Sequence, residues 1–487
     1  MHRFSYTPST QKMSEIKVSI SRSSTEPALE FEAIFPKGDG STWQLQLPCW
    51  RPGRYELANF AQYIKKMVGV CDDGTEVTLM KTDLHRWEVP GSMDTVRWVF
   101  YADILNAGST FVSDDLQYVN PVNCMVYKVR AEFNGYEICL CDIPKNWDLA
   151  TALPYRIEND SYVMTARDMQ HIMDSPWMTS PALWHTEYEA EGVDFHIWSY
   201  GCAPPNSEKF IADHKAFSQA QISYFKSFPA SFYHFLYLLP PDIEVRHGVE
   251  HEDSTVIALG PKEKINSDYG YDELLSIASH ELYHAWNVKR IRPSEWTPYD
   301  FTKACPSKLG YIAEGVTTYM GDLFLFEAGC IDLKNWCRKM EALLSRHLNN
   351  PGRLNMSVAD SSYDTWLDGY RPGVSGRKGS IYVEGAVLAF LCDCRIMKVT
   401  GHKKSLSTGM TLLWEKFGMY RRGLTADEYW DVLAEVAGER LDDLRINYAE
   451  GVKDSWKDLV EAMAFKGLKL SKSLGDKGEI SPSLKQL

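Results

Sequence analysis

Residues 278–287 have the sequence Ala-Ser-His-Glu-Leu-Tyr-His-Ala-Trp-Asn, which places the pattern His-Glu-x-x-His inside a segment predicted to be helical. Side chains four residues apart lie on the same face of a helix, so His280 and His284 can bind one metal ion. Glu281 lies about 100° around the helix from His280, close to that metal but free to accept a proton from water. This spacing predicts a zincin centre, in which one helical turn supplies two zinc ligands and a general base.

The residues around the pattern favour a metal site over a chance match. The preceding segment is largely apolar, Asp272 is a predicted N-cap, and Pro293 is predicted to mark the end of the helix. A buried helix that carries two histidines and a glutamate is costly unless those side chains have partners. We therefore expect a bound zinc ion, one per chain.

The third zinc ligand is not fixed by either of the two short spacings found in zincins. A metzincin would need glycine and histidine at the positions of Asn287 and Arg290. A gluzincin with eighteen intervening residues would need glutamate at the position of Lys303. The third ligand must therefore be another acidic residue after the motif, because a catalytic zinc usually has three protein ligands. Glu295 lies just past Pro293 and is poorly placed.

Asp300 and Glu314 are the next acidic candidates. Glu314 lies in a predicted helix over residues 308–328 that is apolar around it, and a lone glutamate in that setting needs a partner. An ion pair with Lys289 or Arg290 would satisfy it without a metal. We predict Glu314 as the ligand, since the metal requires a third donor.

Composition narrows the class of protein. The 487 residues carry a net charge of −13, which argues against nucleic acid as a partner. No apolar run reaches the roughly 18 residues needed to cross a bilayer, so no membrane insertion is expected. Residues 1–8 show no secretory signal and the eleven cysteines are scattered, which predicts a cytoplasmic protein with reduced thiols. A periplasmic or secreted protein trimmed of its signal would look the same.

The order of elements predicts a multidomain α+β protein. Residues 14–204 alternate apolar and polar side chains between turn signals, as in Thr42–Leu47 and Val193–Trp198, and predict a β-sandwich-like domain without catalytic spacing. Residues 205–402 mix helices and strands and contain the metal motif. Residues 403–487 are predicted to be helical, with a polar tail after Ser471 that is loosely held.

Four segments resemble the glycyl aminopeptidase family of the gluzincin clan. They are the motif His280–Pro293, the helix segment Ala313–Tyr319, the loop Trp50–Tyr55 and the segment Tyr382–Ala386. The resemblance implies a zinc-dependent aminopeptidase with an N-terminal β-domain and a thermolysin-like catalytic domain over residues 205–402. Many members carry a PDZ domain after the catalytic region, whereas residues 403–487 are predicted to be helical.

The resemblance also implies two further site residues. His247–His251 resembles the family's Gly-Gly-x-Glu-His segment, in which Glu250 would bind the substrate's ammonium group. Tyr382 matches a tyrosine that would donate a hydrogen bond to the oxyanion of the intermediate. His247 and His251 are not expected to share a metal, because four residues of a strand span about 13 Å.

The predicted function is hydrolysis of small N-terminal residues, glycine and alanine, from peptides with a free N-terminus. Zinc would activate a water molecule, Glu281 would move its proton, and Tyr382 would stabilise the oxyanion. Two alternatives remain at this point: a zinc endopeptidase with the same core, and a non-catalytic peptide-binding scaffold. An ammonium anchor at Glu250 would favour the aminopeptidase.

Overall fold

The computed structural model of the protein describes residues 16–131, 135–370 and 373–487. Residues 14 and 15 of the predicted N-terminal domain lie outside these ranges. The predicted multidomain α+β class is confirmed, with a multi-sheet β domain, a mixed catalytic domain and a helical C-terminal region.

The N-terminal domain is built from sixteen strands and two short helices within the described residues. The strands are β1 (Ile16–Arg22), β2 (Ala28–Ile34), β3 (Trp43–Gln46), β4 (Ile64–Val70), β5 (Glu76–Thr78), β6 (Met80–Asp83), β7 (Arg86–Val89), β8 (Thr95–Tyr101), β9 (Phe111–Val112), β10 (Gln117–Val119), β11 (Tyr127–Lys128), β12 (Tyr136–Leu140), β13 (Asp148–Thr151), β14 (Tyr155–Glu158), β15 (Ser161–Ala166) and β16 (Trp177–Ser180). The helices are α1 (Pro121–Cys124) and α2 (Met169–Met173).

These strands form three sheets. The largest has the order β14-β15-β12-β1-β2-β8-β4-β5, and two four-stranded sheets have the orders β13-β16-β10-β9 and β11-β3-β7-β6. Alternate residues of the strands face the core, as in β1, where Ile16, Val18 and Ile20 are buried between exposed neighbours. The alternation that predicted strands thus reflects sheets with one buried face.

The catalytic domain contains a five-stranded sheet. Its strands are β17 (Trp184–Ala190), β18 (Val193–Tyr200), β19 (Phe232–Leu238), β20 (Val245–Glu250) and β21 (Ser254–Gly260), in the order β17-β18-β19-β21-β20. The predicted boundary at residue 204 therefore comes too late, because β17 and β18 pair into this sheet and not into the N-terminal ones. Alternation predicts a strand but does not tell which sheet the strand joins.

Helices cover one face of this sheet and surround the metal motif. They are α3 (Ser207–Phe225), α4 (Lys262–Ile265), α5 (Asp268–Tyr283), α6 (Thr317–Glu327), α7 (Leu333–Leu348), α8 (Val358–Asp368) and α9 (Ile381–Val399). Irregular turns at Phe60–Tyr63, Ser294–Trp296 and Pro351–Leu354 are 3₁₀, and Tyr311–Val316 is a π-helical turn that leads directly into α6.

The helix that carries the metal motif differs at both ends from the prediction. Its N-cap is Ser267, whose hydroxyl accepts a hydrogen bond from the backbone N–H of Gly270 at 3.0 Å, and not Asp272. Regular helix ends at Tyr283, ten positions before Pro293, and the chain continues in tight turns. His280 and His284 nevertheless lie one turn apart, since the backbone N–H of His284 still bonds to the carbonyl of His280 at 3.3 Å.

The C-terminal region is helical only as far as Phe465. It contains α10 (Leu406–Lys416), α11 (Ala426–Ala437), α12 (Asp442–Leu444), α13 (Trp456–Phe465), a 3₁₀ turn at Gly418–Tyr420 and a π turn at Arg445–Ala449. The strands β22 (Leu468–Leu474) and β23 (Ile480–Gln486) then form an antiparallel hairpin. The predicted loose tail after Ser471 is wrong, because residues on both sides of the turn pair in this hairpin and Leu484 is buried.

The two domains are joined through a shared apolar layer. Tyr118 and Met178 of the β13-β16-β10-β9 sheet pack with Leu236 and Val256 on the face of the catalytic sheet that is opposite the helices. This contact holds the N-terminal domain against the catalytic domain.

Among the described helices, none is long and apolar enough to span a bilayer. All eleven cysteines are unpaired.

Candidate metal centre and active site

The three predicted zinc ligands converge on one point. The Nε2 atoms of His280 and His284 lie 3.0 Å apart. The Glu314 Oε2 atom lies 3.7 Å from His280 Nε2 and 3.5 Å from His284 Nε2. Donors about 2.0–2.2 Å from a tetrahedral zinc ion would be roughly 3.3–3.5 Å from one another. The spacing of these three side chains therefore fits a small tetrahedral cation.

His284 is held in the tautomer that a metal ligand requires. Its Nδ1 donates a hydrogen bond to the backbone carbonyl of Asn287 at 2.6 Å, which leaves the lone pair of Nε2 directed at Glu314 and His280. Thr317 lies against the same nitrogen at 3.5 Å and donates to the Asn287 carbonyl at 3.2 Å. Supporting contacts of this kind orient a ligand before the metal binds.

Glu314 lies in the π-helical turn Tyr311–Val316. The side-chain amide of Asn287 donates to the backbone carbonyl of Ile312 at 2.9 Å, which fastens this turn to the end of the motif segment. A π turn shifts the register of the following helix and is frequent at functional sites. Thr318, one turn beyond Glu314, donates to the backbone carbonyl of Glu314 at 2.8 Å.

Two glycines let α9 approach the π turn closely. A Cβ atom at Gly315 would lie 2.3 Å from the Cα of Gly385, and a Cβ atom at Gly385 would lie 2.5 Å from the backbone oxygen of Tyr311. Only residues without side chains fit at this crossing. The contact places Tyr382, on the first turn of α9, beside Glu314.

Tyr55 completes the surroundings of Glu314 and was missed in the sequence. Its phenol donates to Glu314 Oε1 at 2.5 Å, and its ring stacks on Trp296 with the centroids 4.8 Å apart. Tyr55 ends the loop Trp50–Tyr55 of the N-terminal domain, 259 positions before Glu314. The domain predicted to be free of catalytic features therefore contributes a residue to the centre, and only the family resemblance of the loop could have indicated it.

The competing partners of Glu314 are engaged elsewhere. Lys289 pairs with Asp174 of the N-terminal domain at 2.8 Å, and Arg290 pairs with Glu252 at 3.0 Å. Asp300 accepts hydrogen bonds from its own loop, including the backbone N–H of Thr302 at 2.9 Å. The metal-free explanation for Glu314 and the alternative ligand Asp300 are thus both disfavoured.

Glu281 is buried next to the predicted ligands. Its Oε1 lies against Gly248, where a Cβ atom would come within 2.1 Å of it, and its Oε2 has no hydrogen-bond partner in the described part of the chain. Burial raises the pKa of the Glu281 carboxyl well above its ordinary value; His284 opposes this effect, and the charges of Glu250 and Glu314 add to it. A raised carboxyl pKa suits a group that exchanges protons during a reaction.

Glu250 is the last residue of the edge strand β20 and faces the same centre. Carboxylate oxygens of Glu250 and Glu281 and a ring nitrogen of His284 lie within 4.8 Å of one another. Glu250 is 3% exposed, and its Oε1 has no hydrogen-bond partner among the described residues. Gly53, with φ of 73°, passes so close that a Cβ atom there would lie 2.2 Å from Glu250 Oε2.

Arg51 brings a buried positive charge close to Glu250, and no pattern in the sequence indicated this residue. Burial lowers the pKa of its guanidinium and the charge of Glu250 raises it. Its Nη2 lies 3.0 Å from His247 Nε2, and His247 Nδ1 lies 3.2 Å from Asn106 Oδ1. Because Arg51 can only donate, His247 accepts at Nε2 and donates to Asn106.

His251 contacts Asp174 instead, at 3.1 Å, so the two histidines point to different partners, as strand geometry predicted.

Tyr382 has a second phenol beside it. The Tyr382 and Tyr370 hydroxyls lie 3.4 Å apart, and Tyr370 accepts from the backbone N–H of Tyr55 at 3.3 Å. Burial and the nearby Glu314 raise the pKa of Tyr382 well above its ordinary value, and raise that of Tyr370 to about 12. Both are therefore neutral hydrogen-bond donors at neutral pH. The spacing of the sequence did not indicate Tyr370.

Two family descriptions match the chain. Residues 273–388 match the M61 glycyl aminopeptidase family, and residues 15–181 match the peptidase M61 N-terminal domain. Together these ranges cover more than half of the chain. The second range ends just before β17, in agreement with the domain boundary that the sheets define. None of the curated proteins compared with the chain matches it.

Solved structures share the fold at low identity. An aminopeptidase N family protein from Idiomarina loihiensis superposes with a TM-score of 0.86 at 24% identity, over 94% of this chain and 79% of that chain. The M1 zinc metallopeptidase from Deinococcus radiodurans gives 0.54 at 13% identity, over 90% and 93%. A mutant of that enzyme bound to a Tyr-Ser-Ala substrate gives 0.52 at 12% identity, over 90% and 93%.

Proposed function

This chain belongs to the M61 glycyl aminopeptidase family, and we propose that it is a zinc-dependent aminopeptidase that removes glycine and alanine from the N-terminus of peptides. The observation that carries the proposal is the buried, unpartnered Oε1 of Glu250 beside the donor set of His280, His284 and Glu314. A buried carboxylate oxygen needs a hydrogen-bond donor, and the nearby Arg51 donates to the Pro52 carbonyl and to His247 and not to this atom. The ammonium group of a substrate would supply such a donor.

The donor set supports zinc as the metal. Two imidazoles and one carboxylate, with a further position left for water or substrate, are typical ligands of a catalytic zinc. When bound by His280, His284 and Glu314, zinc would supply Lewis acidity and lower the pKa of water. We propose one zinc ion per chain at this centre.

The chain's own residues supply proton transfer and charge stabilisation. Glu281 would accept a proton from the attacking water and return it to the leaving amine, for which its buried position and raised pKa are suited. Tyr382 would donate a hydrogen bond to the oxyanion that forms when water attacks the carbonyl. Its neighbour Tyr370 would orient that phenol through their 3.4 Å contact.

Glu250 would make the reaction exopeptidic. An ammonium bound there can be only a few ångströms from the metal ligands, because Glu250 and His284 offer atoms within 4.8 Å. This distance leaves room for one residue between the anchor and the scissile bond. The match to the glycyl aminopeptidase family supports a preference for small N-terminal residues. A peptide with a blocked N-terminus would leave the carboxylate without its cation.

The test is hydrolysis of chromogenic glycyl, alanyl and leucyl substrates and of N-acetylalanyl substrate by zinc-loaded protein, with and without a chelator. We expect cleavage of the free glycyl and alanyl substrates only, loss with chelator, and recovery when zinc is restored. Glu250→Gln should raise KM for the free substrates, because the charge that binds the ammonium is gone. Efficient cleavage of the acetylated substrate would favour an endopeptidase instead.

We also propose a cytoplasmic location, which the eleven unpaired cysteines support.

A further inference from the structure

A second group of metal-binding side chains lies on the catalytic sheet. His185 and Glu187 of β17 and His196 of β18 each offer one ligand atom, and these atoms lie within 4.8 Å of one another. His185 Nε2 is 3.2 Å from His196 Nδ1, and His196 Nδ1 is 3.8 Å from Glu187 Oε2. Two imidazoles and a carboxylate are the same donor types that form the catalytic centre.

The register of the strands produces this group. Glu187 lies directly opposite His196, and His185 lies opposite Trp198. Residues opposite each other on neighbouring antiparallel strands have Cβ atoms about 4.5–5.5 Å apart, so their side chains can share one ion. His247 and His251 lack this geometry, because they are four residues apart along extended backbone, about 13 Å.

The surroundings hold the rings in place and add negative charge. His185 stacks on Trp198 with the centroids 3.8 Å apart, and His196 stacks on His234 with the centroids 4.6 Å apart. The carboxylates of Asp148 and Asp194 act on His185 and His196, in addition to Glu187. A histidine has an ordinary pKa of about 6.5, so at neutral pH both rings can offer a lone pair to a cation.

The group is separate from the catalytic centre. Phe195 and Ile197, which flank His196 along β18, pack into the core with α5 residues such as Leu275. Because successive side chains of a strand point to opposite faces, His196 lies on the face away from α5. The group shares no residue with the set of His280, His284 and Glu314.

We propose that His185, Glu187 and His196 form a second zinc site, which fastens the edge strand β17 to β18. Three protein donors leave one position of a tetrahedral ion for water. The site bridges two strands of the sheet edge and would stabilise the edge without taking part in peptide hydrolysis. The proposal does not depend on the proposed peptidase function.

The test is the zinc content of full-length protein after equilibration with micromolar Zn²⁺ and removal of free metal. Wild type should hold about two zinc ions per chain, because two donor sets share no residue. His196→Ala and, separately, His185→Gln should each hold about one and keep peptidase activity, since the catalytic ligands are untouched. Because the side chain of His185 is exposed, we expect His185→Gln to fold as wild type does.

A titration isolates the second site. In Glu314→Gln, which weakens the catalytic centre, added Zn²⁺ should still bind and raise the melting temperature. Adding His196→Ala to this variant should weaken Zn²⁺ binding further. The loss should exceed the roughly 10–100-fold that is typical of residues that only support a ligand. The matched control is His402→Ala, which removes an exposed histidine of another region. One zinc per wild-type chain, or unchanged zinc in both His196→Ala and His185→Gln, would overturn the proposal.

Discussion

At the scale of single residues, Tyr55 shows how the N-terminal domain acts on the metal centre. Its phenol is bonded to one oxygen of Glu314 while the other oxygen faces the two histidines. A ligand that is held in place before the metal arrives loses less freedom on binding. We therefore propose that Tyr55 positions Glu314, the proposed third ligand.

Tyr55→Phe tests that role. The ring and its stacking on Trp296 remain, so the fold should persist, while the affinity for zinc should fall roughly 10–100-fold, as for other residues that support a ligand. Competition with a chromogenic chelator measures the affinity. Tyr63→Phe, in the same domain but packed on Phe100, is the matched control and should behave as wild type. An unchanged affinity in Tyr55→Phe would show that the hydrogen bond is incidental.

The choice of oxyanion donor is also a question of single residues. Tyr382→Phe keeps the ring but removes the hydroxyl, and the interaction forms mainly in the transition state. We expect kcat to fall about 10²–10³-fold with a smaller change in KM, as for other oxyanion donors. Tyr370→Phe should have a milder effect, because Tyr370 contacts Tyr382. If the two variants exchange these effects, Tyr370 is the donor.

At the scale of elements, the sequence predicted the helices, strands and residue groupings that follow from local periodicity. His280, Glu281 and His284 were found because helical spacing alone puts them together. The N-cap Ser267 was missed because Gly270 interrupts the helical pattern of the first turn. The π turn around Glu314 was not found, because it depends on which segment the helix packs against. The same holds for β22 and β23, whose polar sequence becomes a hairpin because three leucines are covered by the helices beneath.

The crossing of α9 over the π turn gives a prediction at this scale. Gly385→Ala would place a Cβ atom 2.5 Å from the oxygen of Tyr311 and 2.8 Å from the Cα of Gly315, both backbone atoms that cannot move aside alone. Overpacking of this kind costs about 1–3 kcal/mol, and the shift should also weaken zinc binding by moving Glu314. Thermal unfolding and a zinc titration measure the two effects.

Gly409→Ala is the control for this prediction. It is a buried helical glycine of α10 whose Cβ atom would press only on the end of the Leu433 side chain, at 2.6 Å. It should lower stability without changing zinc affinity. Equal zinc affinity in Gly385→Ala and wild type would contradict a coupling between the helix crossing and the centre.

At the scale of the whole molecule, the proposed active site lies where the two domains meet, a position that sequence analysis could not locate. Trp50–Tyr55 of one domain and β20, α5 and α9 of the other contribute to a single centre. Each segment was recognised separately, but the distances between segments follow from tertiary packing and not from spacing along the chain. The catalytic domain also begins before β17, earlier than predicted, because the pairing of β17 and β18 is likewise decided by tertiary packing.

A buried ion pair fixes the position of the domains. Lys289, whose side chain is fully buried, pairs with Asp174 at 2.8 Å, and the backbone N–H of Glu252 donates to the same carboxylate at 3.0 Å. Burial raises the pKa of Asp174, but the charge of Lys289 and the hydrogen bond from His251 outweigh it and hold that pKa below its ordinary value. The stabilisation is therefore present above pH about 4, the unfolded pKa, and is lost as pH falls through the lower folded value.

Asp174→Asn should be strongly destabilising. It leaves the buried charge of Lys289 without its partner, which costs about 3–5 kcal/mol at neutral pH. Denaturant unfolding at neutral and acid pH measures this cost, which should shrink as the pH falls. The matched control is Asp160→Asn, which breaks an exposed pair with Lys145 and should cost less than about 1 kcal/mol. Similar stabilities of the two variants would show that the domains do not depend on this pair.

The most direct test of the account is the rate at which zinc-loaded wild type and Glu281→Gln release alanine from an alanyl peptide, measured at equal zinc content at the catalytic centre. Glu281 is not one of the three ligands, so the variant should bind zinc and fold as wild type does. Its turnover should fall about 10²–10⁴-fold, because the group that moves the proton is gone. A variant with full zinc and near-native turnover would contradict the assignment of this site as the centre of peptide hydrolysis.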